Sequence, residues 1–190
     1  MITITKTNDL KVLASTVIKD GKLITGGIHF KKHPLGGILI TVTDGFTLTS
    51  LYDEEGIWDE DRDVFMLEGT KELFKHILPY NSRLTTFTPG EGLFKVKETD
   101  FPFKVLIPCT EDKSNRLAEG AYIAEPVIKR VNEIAKKLKA GCPCLNLNDL
   151  GPIEITFTGR DDLYMIAMPI VNRLKQEFKR PDFIKKVVGD

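Results

Sequence analysis

The residues of this chain with the greatest capacity for chemistry are three cysteines and three histidines. Cys142 and Cys144 flank one proline, which is not the two-residue gap of a zinc knuckle, and no second such pair follows. The other four are scattered along the chain: Cys109, His29, His33 and His76. The spacing therefore predicts no metal site and no cofactor, and the odd number of cysteines does not favour a disulfide framework.

The chain contains no recognisable arrangement of nucleophile and base. A Ser-His-Asp or Cys-His pattern, a phosphate-binding glycine loop and a dinucleotide fingerprint are all missing from the sequence. The acidic stretch 53–63, DEEGIWDEDRD, has carboxylates but not the spacing of a calcium-binding loop. We therefore expect an exposed loop at 53–63 and a protein that is not an enzyme.

Four cations lie on one face of the helix with the clearest periodicity. Its apolar stripe recurs at helical spacing and ends before Gly141, and it consists of Val127, Val131, Ile134, Ala135 and Leu138. At about 3.6 residues per turn, the opposite face carries Lys129, Arg130, Lys136 and Lys137. Charge pattern alone leaves two interpretations open, a solvated surface and a contact for phosphates.

The overall charge gives no further indication of a partner. The chain has 190 residues, and 27 Lys and Arg balance 27 Asp and Glu, so any basic contact surface must be local. No apolar run approaches the roughly 20 residues that span a bilayer, and the first residues lack a secretory pattern. We expect a soluble, cytoplasmic protein with no membrane partner.

Strands of alternating polarity surround the helices. The strongest signal is a hairpin at 38–51, in which Asp44 and Gly45 form the turn between two β-branched strands. A first helix follows Asn8 or Asp9, either of which can cap it. The order of helices and strands repeats one unit, so we predict an α+β fold with antiparallel sheets and helices packed on one face.

Three segments together resemble the bacterial DNA polymerase III beta sliding clamp. Residues 27–48, GIHFKKHPLGGILITVTDGFTL, are similar to the second domain of the clamp with its Thr-Asp-Gly hairpin. Residues 100–113, DFPFKVLIPCTEDK, are similar to its connector into the third domain. Residues 121–170 end in GPIEITFTGRDDLYMIAMPI and resemble its closing strands with their Met-Pro pair. The order and spacing of the three segments make the resemblance more specific than any one of them.

The resemblance implies a DNA-clamp-like fold that is shorter than the family's three-domain protein. It corresponds to the second domain and the last half of the third. We therefore expect a clamp-like domain at 1–107, a partial clamp-like domain at 108–170 and a basic tail or helix at 171–190.

In this family the three segments converge on an apolar pocket, where polymerases and other clamp-binding proteins dock short peptides. These peptides often contain Gln followed by bulky apolar residues. Leu, Met and Pro suit such a pocket because they give it an adaptable apolar lining. The resemblance assigns the pocket to Thr43, Gly45, Phe46, Thr47, Leu48, Pro108, Ile166, Met168, Pro169 and Ile170. Thr47 stands where family members often carry Arg, so we expect one polar contact to the peptide to be lost.

The family also surrounds duplex DNA with helices whose basic faces point inward. Such cations contact phosphates without reading bases, which permits sliding. The resemblance assigns this role to Lys129, Arg130, Lys136 and Lys137, with Lys71, Lys75 and Arg83 as additions.

Two functions follow as hypotheses. One is a sliding-clamp-like DNA replication protein, a polymerase processivity factor that encircles DNA as a homo-oligomer, of the kind that a phage or other mobile element carries. The alternative is a non-ring adaptor or decoy of clamp fold that binds replication or repair proteins without encircling DNA. A ring needs repeated closing interfaces, whereas an adaptor needs only the pocket.

Overall fold

The computed structural model describes residues 1–16, 18–19, 22–43, 47–70, 84–91, 96–97, 123–146 and 152–167. Within these ranges the helices are α1 (Thr7–Thr16) and α2 (Glu125–Lys137). The strands are β1 (Ile2–Ile4), β2 (Ile18–Lys19), β3 (Lys22–Lys32), β4 (Ile38–Thr43), β5 (Thr47–Asp53), β6 (Ile57–Trp58), β7 (Val64–Thr70), β8 (Thr85–Phe87), β9 (Val96–Lys97), β10 (Pro143–Asn146), β11 (Ile153–Phe157) and β12 (Leu163–Ala167).

The strands form one large sheet and one small sheet, and every pairing among them is antiparallel. The large sheet has the order β10-β11-β12-β5-β4-β3-β7-β9, with β2 paired to β3. The small sheet has the order β6-β1-β8. Helix α1 packs against α2, β4 and β5, while α2 also contacts β10. The α+β prediction with antiparallel sheets is confirmed for the described part of the chain.

The predicted hairpin forms, but its connection is longer than the predicted two-residue turn. Side chains pair across the two strands, as in the buried pair Ile40 and Leu51. A two-residue turn would pair Thr43 with the residue at position 46, whereas Thr43 pairs with Leu48. The Thr43 hydroxyl donates to the Thr47 carbonyl at 2.8 Å, and this bond closes the wider loop. The turn residues 44–46 lie outside the described residues.

Helix α1 begins at Thr7, before the predicted caps at Asn8 and Asp9. The carboxylate of Asp53, at the end of strand β5, accepts hydrogen bonds from the backbone just before the helix instead. Asp53 accepts the backbone N–H of Thr5 at 2.7 Å and that of Lys6 at 3.3 Å, and it also accepts the Thr5 hydroxyl. Asp53 is completely buried, so the prediction that the whole stretch 53–63 is an exposed loop is wrong. Strand β5 continues through Asp53, and β6 within the same stretch pairs with β1.

Helix α2 forms where the periodicity predicts it. Val127, Val131, Ile134 and Leu138 are buried, and Ile134 is completely inaccessible. The residue of positive φ after the helix is Lys139, at 52°. Gly141 has a different role, because a Cβ added there would lie 2.0 Å from Thr158 Oγ1. The close approach lets the Gly141 N–H donate to the Thr158 carbonyl at 2.8 Å, which fixes the chain as it enters β10.

Strands β5 and β12 join the first and last parts of the described chain at the centre of the large sheet. Leu51 pairs with Leu163, and Thr47 pairs with Ala167 at the other end of the register. The sheet is therefore continuous from β9 to β10. The predicted domain boundary at 107–108 lies outside the described residues and stays a prediction, as does the tail at 171–190.

Candidate functional site

Four of the predicted pocket residues meet where β4, β5 and β12 lie side by side. Leu48 pairs with Thr43 on one side and with Ile166 on the other, and Thr47 precedes Leu48 on β5. We call Thr43, Thr47, Leu48 and Ile166 the sheet corner. The other predicted pocket residues lie outside the described residues: Gly45, Phe46, Pro108, Met168, Pro169 and Ile170.

The sheet corner is mostly buried. The exposed fraction is 3% for Thr47, 4% for Leu48 and 2% for Ile166, while Thr43 is half-buried. The hydrogen bond from the Thr43 hydroxyl to the Thr47 carbonyl holds the ends of β4 and β5 together. These two threonines and two apolar residues thus form a hydrogen-bonded, strand-paired base, and any peptide-binding surface here must be completed by neighbouring segments.

The lysines predicted to contact DNA lie on the exposed side of α2. Lys129, Lys136 and Lys137 are all exposed, and Lys129 forms an ion pair with Glu125 at 2.7 Å. Lys137 lies 4.0 Å from Glu133. Exposed pairs of this kind contribute only about 0 to 1 kcal/mol, so a phosphate can replace either glutamate. The further predicted cations Lys71, Lys75 and Arg83 lie outside the described residues.

Arg130 differs from these lysines. It is half-buried, and its Nη1 donates to Thr47 Oγ1 at 2.9 Å. Burial lowers the pKa of the Arg130 guanidinium from its usual value, and the negative charge of Glu133 opposes this shift. The structure therefore brings a residue predicted to bind DNA into contact with a residue predicted to line the peptide pocket.

Solved structures show which fold this arrangement belongs to. No protein-family model and no curated protein matches the chain. The DNA polymerase III beta subunit from Borrelia burgdorferi, solved in complex with a natural product, matches with a TM-score of 0.56 and 13% identity over 90% of this chain. The beta subunit from Thermotoga maritima matches with a TM-score of 0.53 and 10% identity over 100% of this chain. The chain has the fold of the DNA polymerase III beta subunit.

The match covers only part of each beta subunit. This chain spans 64% of the Borrelia protein, which is less than two thirds, and 68% of the Thermotoga protein. At identities of 13% and 10%, the comparison establishes the beta-subunit fold. The predicted resemblance is thus confirmed at the level of the fold.

Arg160 makes polar contacts in three parts of the fold, and the sequence analysis did not identify it. Its Nε donates to Asp162 Oδ1 at 2.8 Å, and its Nη2 donates to Asp9 Oδ2 at 2.6 Å. Its Nη1 donates to the Leu138 carbonyl at 3.0 Å. One guanidinium thereby connects the first turn of α1, the end of α2 and the turn between β11 and β12.

Lys6 extends this set of contacts to strand β5. Its Nζ lies 2.7 Å from Asp162 Oδ2 and donates to the Tyr52 carbonyl at 2.8 Å. Burial alone would raise the pKa of Asp162, but hydrogen bonds and positive charge from Arg160 and Lys6 lower it to about 2. We call Lys6, Asp9, Arg160 and Asp162 the charge network. Arg160 and Asp162, two positions apart, were the only signal for this network in the sequence, since Lys6 and Asp9 are distant along the chain.

The candidate metal ligands lie in different parts of the fold. Cys142 and Cys144 are exposed at β10, His29 is buried in β3, and the His33 ring lies 4.4 Å from that of Tyr52. Cys109 and His76 lie outside the described residues. In the part of the chain that the structure describes, no three His, Cys, Asp or Glu side chains are grouped to hold a metal ion. No helix in that same part is long and apolar enough to cross a membrane.

Proposed function

We propose that this chain is a sliding-clamp-like DNA replication protein, a polymerase processivity factor that binds duplex DNA without sequence preference. The observation that carries the proposal is the beta-subunit fold, shared over 90% of the chain with the Borrelia protein. In this chain the fold presents exposed lysines on α2 and a strand-paired sheet corner at β4, β5 and β12. The proposed role is binding rather than catalysis, and the proposed location is the cytoplasm.

The DNA side of the proposal rests on Lys129, Lys136 and Lys137. All three are exposed on one helix, and lysine binds phosphate as a point charge without reading base edges. Their acidic neighbours Glu125 and Glu133 are themselves exposed and are held only by weak surface pairs. A phosphate backbone that replaces both glutamates would make the binding salt-dependent and independent of sequence.

The protein side of the proposal rests on the sheet corner. A DNA polymerase or another clamp-binding protein would dock a short peptide there, with its apolar side chains over Leu48 and Ile166. Peptide recognition of this type needs a few buried anchors on a preorganised base. The cross-strand pairing of Leu48 with both neighbours supplies such a base.

The proposal is tested by asking whether the protein holds DNA topologically. The solution mass is measured by light scattering, and the protein is then incubated with nicked circular DNA and isolated by gel filtration. We expect a homo-oligomer that stays on the circle at moderate salt and is lost when the circle is linearised. A monomer that is retained equally on circular and linear DNA would contradict the proposal that the protein forms a ring around DNA.

A second candidate function is a non-ring adaptor or decoy that binds replication or repair proteins through the predicted peptide pocket without encircling DNA. The observation that favours it is the partial neutralisation of the α2 face. Lys129 and Lys137 each have a glutamate partner, and Arg130 contacts β5. Peptide binding by a monomer that shows no circle-dependent retention would support this adaptor.

A further inference from the structure

We infer that Cys142 and Cys144 form a two-coordinate site for a soft, thiophilic cation of the kind that monovalent copper represents. Both thiols are free and exposed at β10, which lies at one end of the strand order of the large sheet. The inference goes beyond the proposed function and does not rest on it. The spacing of a zinc knuckle serves a four-coordinate ion, whereas a two-coordinate ion needs only the two sulfurs.

Strand pairing places both thiols on one face of the large sheet. Cys144 pairs with Thr156 on β11. Just before β10, the Cys142 carbonyl accepts the Thr158 N–H at 3.2 Å, so the same register continues through Cys142. Because side chains alternate along a strand, Cys142 and Cys144 lie on the same side and Pro143 lies on the other.

The face that carries the thiols is the solvent side of β11. Thr156 and Thr158 are exposed, whereas the alternate residues Ile155 and Phe157 are buried in the core. An ion therefore reaches the two sulfurs from solvent without any movement of the core.

The backbone around Cys142 is fixed by hydrogen bonds to β11. The Gly141 N–H donates to the Thr158 carbonyl at 2.8 Å, and the Thr158 hydroxyl donates to the Cys142 carbonyl at 3.4 Å. The ring of Pro143 restricts the backbone between the two cysteines. Because the thiols are held in one arrangement, little backbone freedom is lost when both of them bind one ion.

The separation of the two thiols suits a bridging ion better than a disulfide. Residues two apart in a strand lie about 6.6 Å apart, at about 3.3 Å per residue, and their Cβ atoms point the same way. A disulfide needs Cβ atoms about 3.5 to 4.5 Å apart, so the strand would have to bend to form one. Staggered rotamers bring the sulfurs about 2 Å closer than the Cβ atoms, to roughly the 4.6 Å that two metal–sulfur bonds of about 2.3 Å span in a line.

The neighbouring donors decide which class of ion fits. The residues paired with the cysteines are Thr156 and Thr158, and oxygen donors do not suit a soft ion. No three His, Cys, Asp or Glu side chains are grouped within the described ranges, so zinc would lack ligands. Two thiolates alone match a soft ion such as Cu(I). Binding transfers both thiol protons to the buffer, so the affinity should rise with pH.

The test measures transfer of copper to the protein. The reduced full chain is added, without oxygen, to the coloured complex of Cu(I) with bicinchoninate, and the loss of its absorbance reports the copper taken up. We expect the unaltered protein to take up one ion per chain. Cys142→Ser and Cys144→Ser should each weaken binding by about 100-fold or more, because the second thiolate of a chelate binds at a high effective concentration.

Two variants serve as controls for the number and position of the thiols. Cys109→Ser removes one cysteine and leaves both β10 thiols in place, so its affinity should equal that of the unaltered protein. Cys144→Ser combined with Leu145→Cys keeps three cysteines but moves one thiol to the opposite face of β10. Leu145 is 44% exposed, so the new thiol is accessible, and we expect binding as weak as in Cys144→Ser. Far-UV circular dichroism and thermal melting verify that each variant is folded.

Three results would overturn the inference. The unaltered protein could take no copper from bicinchoninate, or either single β10 variant could bind copper as tightly as the unaltered protein does. One ion for every two chains, with a doubled mass in light scattering, would assign the ion to a contact between copies instead. Retention on circular DNA tests the proposed function separately, so either one can fail while the other stands.

Discussion

Arg160 and Asp9 are separated by 151 positions in the sequence, yet Arg160 Nη2 lies 2.6 Å from Asp9 Oδ2. This ion pair joins the turn between β11 and β12 to the first turn of α1. Both side chains are largely buried, with exposed fractions of 17% and 25%. Removing one partner of such a pair leaves the other charge and its hydrogen-bonding partners uncompensated. Removal of one partner is the change by which a buried ion pair affects stability most.

Arg160→Ala should therefore destabilise the fold strongly. Asp9 and Asp162 would lose their shared cation, and the Leu138 carbonyl would lose a donor. We expect the free energy of unfolding in urea to fall by about 2 to 4 kcal/mol. Lys139→Ala is the control, because Lys139 is exposed and its removal should change stability by less than about 0.5 kcal/mol. Equal stability of the two variants would show that the charge network does not support the fold.

Stability should also decrease in acid because of Asp162, whose folded-state pKa is lowered to about 2. A carboxyl whose pKa is lower in the folded state than in the unfolded chain stabilises the fold above its ordinary pKa of about 4. That contribution disappears as the pH falls from about 4 through 2, and we expect it to be about 1 to 2 kcal/mol after solvent screening. The free energy of unfolding, measured between pH 5 and pH 2, tests this. We expect Asp162→Asn to make that free energy less dependent on pH. Asp61→Asn changes an exposed carboxyl and should leave the pH dependence of the unfolding free energy as it is in the unaltered protein.

The exposed lysines of α2 give a prediction about DNA. Lys129→Glu combined with Lys136→Glu should weaken duplex binding and make the logarithm of affinity less steep against the logarithm of salt by about two units. Both residues are exposed, so the melting temperature should change little. Lys32→Glu on β3, also exposed, is the control for a reversal of charge elsewhere. An unchanged salt slope in the double variant would remove α2 from the proposed DNA surface.

The peptide site gives a prediction through two residues of the predicted pocket. Phe46→Ala combined with Met168→Ala should abolish docking of a fluorescein-labelled peptide in which Gln is followed by bulky apolar residues, as fluorescence anisotropy measures it, because peptide binding concentrates in a few apolar contacts. Loss of anisotropy with a retained circular dichroism spectrum is the expected result. Leu35→Ala is the control, since Leu35 is 85% exposed at the turn between β3 and β4. Docking that survives the double change would show that the pocket lies elsewhere.

The sequence predicts those parts of the fold that depend on neighbours close in the chain. The stripe from Val127 to Leu138 and the alternation along β4 and β5 reflect local periodicity, and both are observed. The length of the β4–β5 connection was mispredicted, because the Thr43 hydroxyl and strand register close a wider loop than a Thr-Asp-Gly motif indicates.

Polar contacts between residues that are far apart in the sequence could not be predicted from it. Asp53 has the same local sequence context as an exposed acidic loop, yet it is buried because Thr5 and Lys6 donate to it across the fold. Arg130 was assigned to the basic face of α2, but at about 100° per residue it lies only about 60° from Val127, at the edge of the buried stripe. Its neighbour is decided by the strand on which that edge of α2 rests. Periodicity gives the direction of a side chain from its helix, and only tertiary packing decides what lies there.

The pairing of β5 with β12 has a consequence for how the protein is made. Ile166 and Leu48 are paired although more than a hundred residues separate them, and contacts of such long sequence separation slow folding. During synthesis β5 leaves the ribosome well before β12, so one edge of the hairpin stays open until β12 has been made. An open strand edge is a template for unwanted association. Nascent chains halted before residue 163 should therefore depend on chaperones more than the finished protein does.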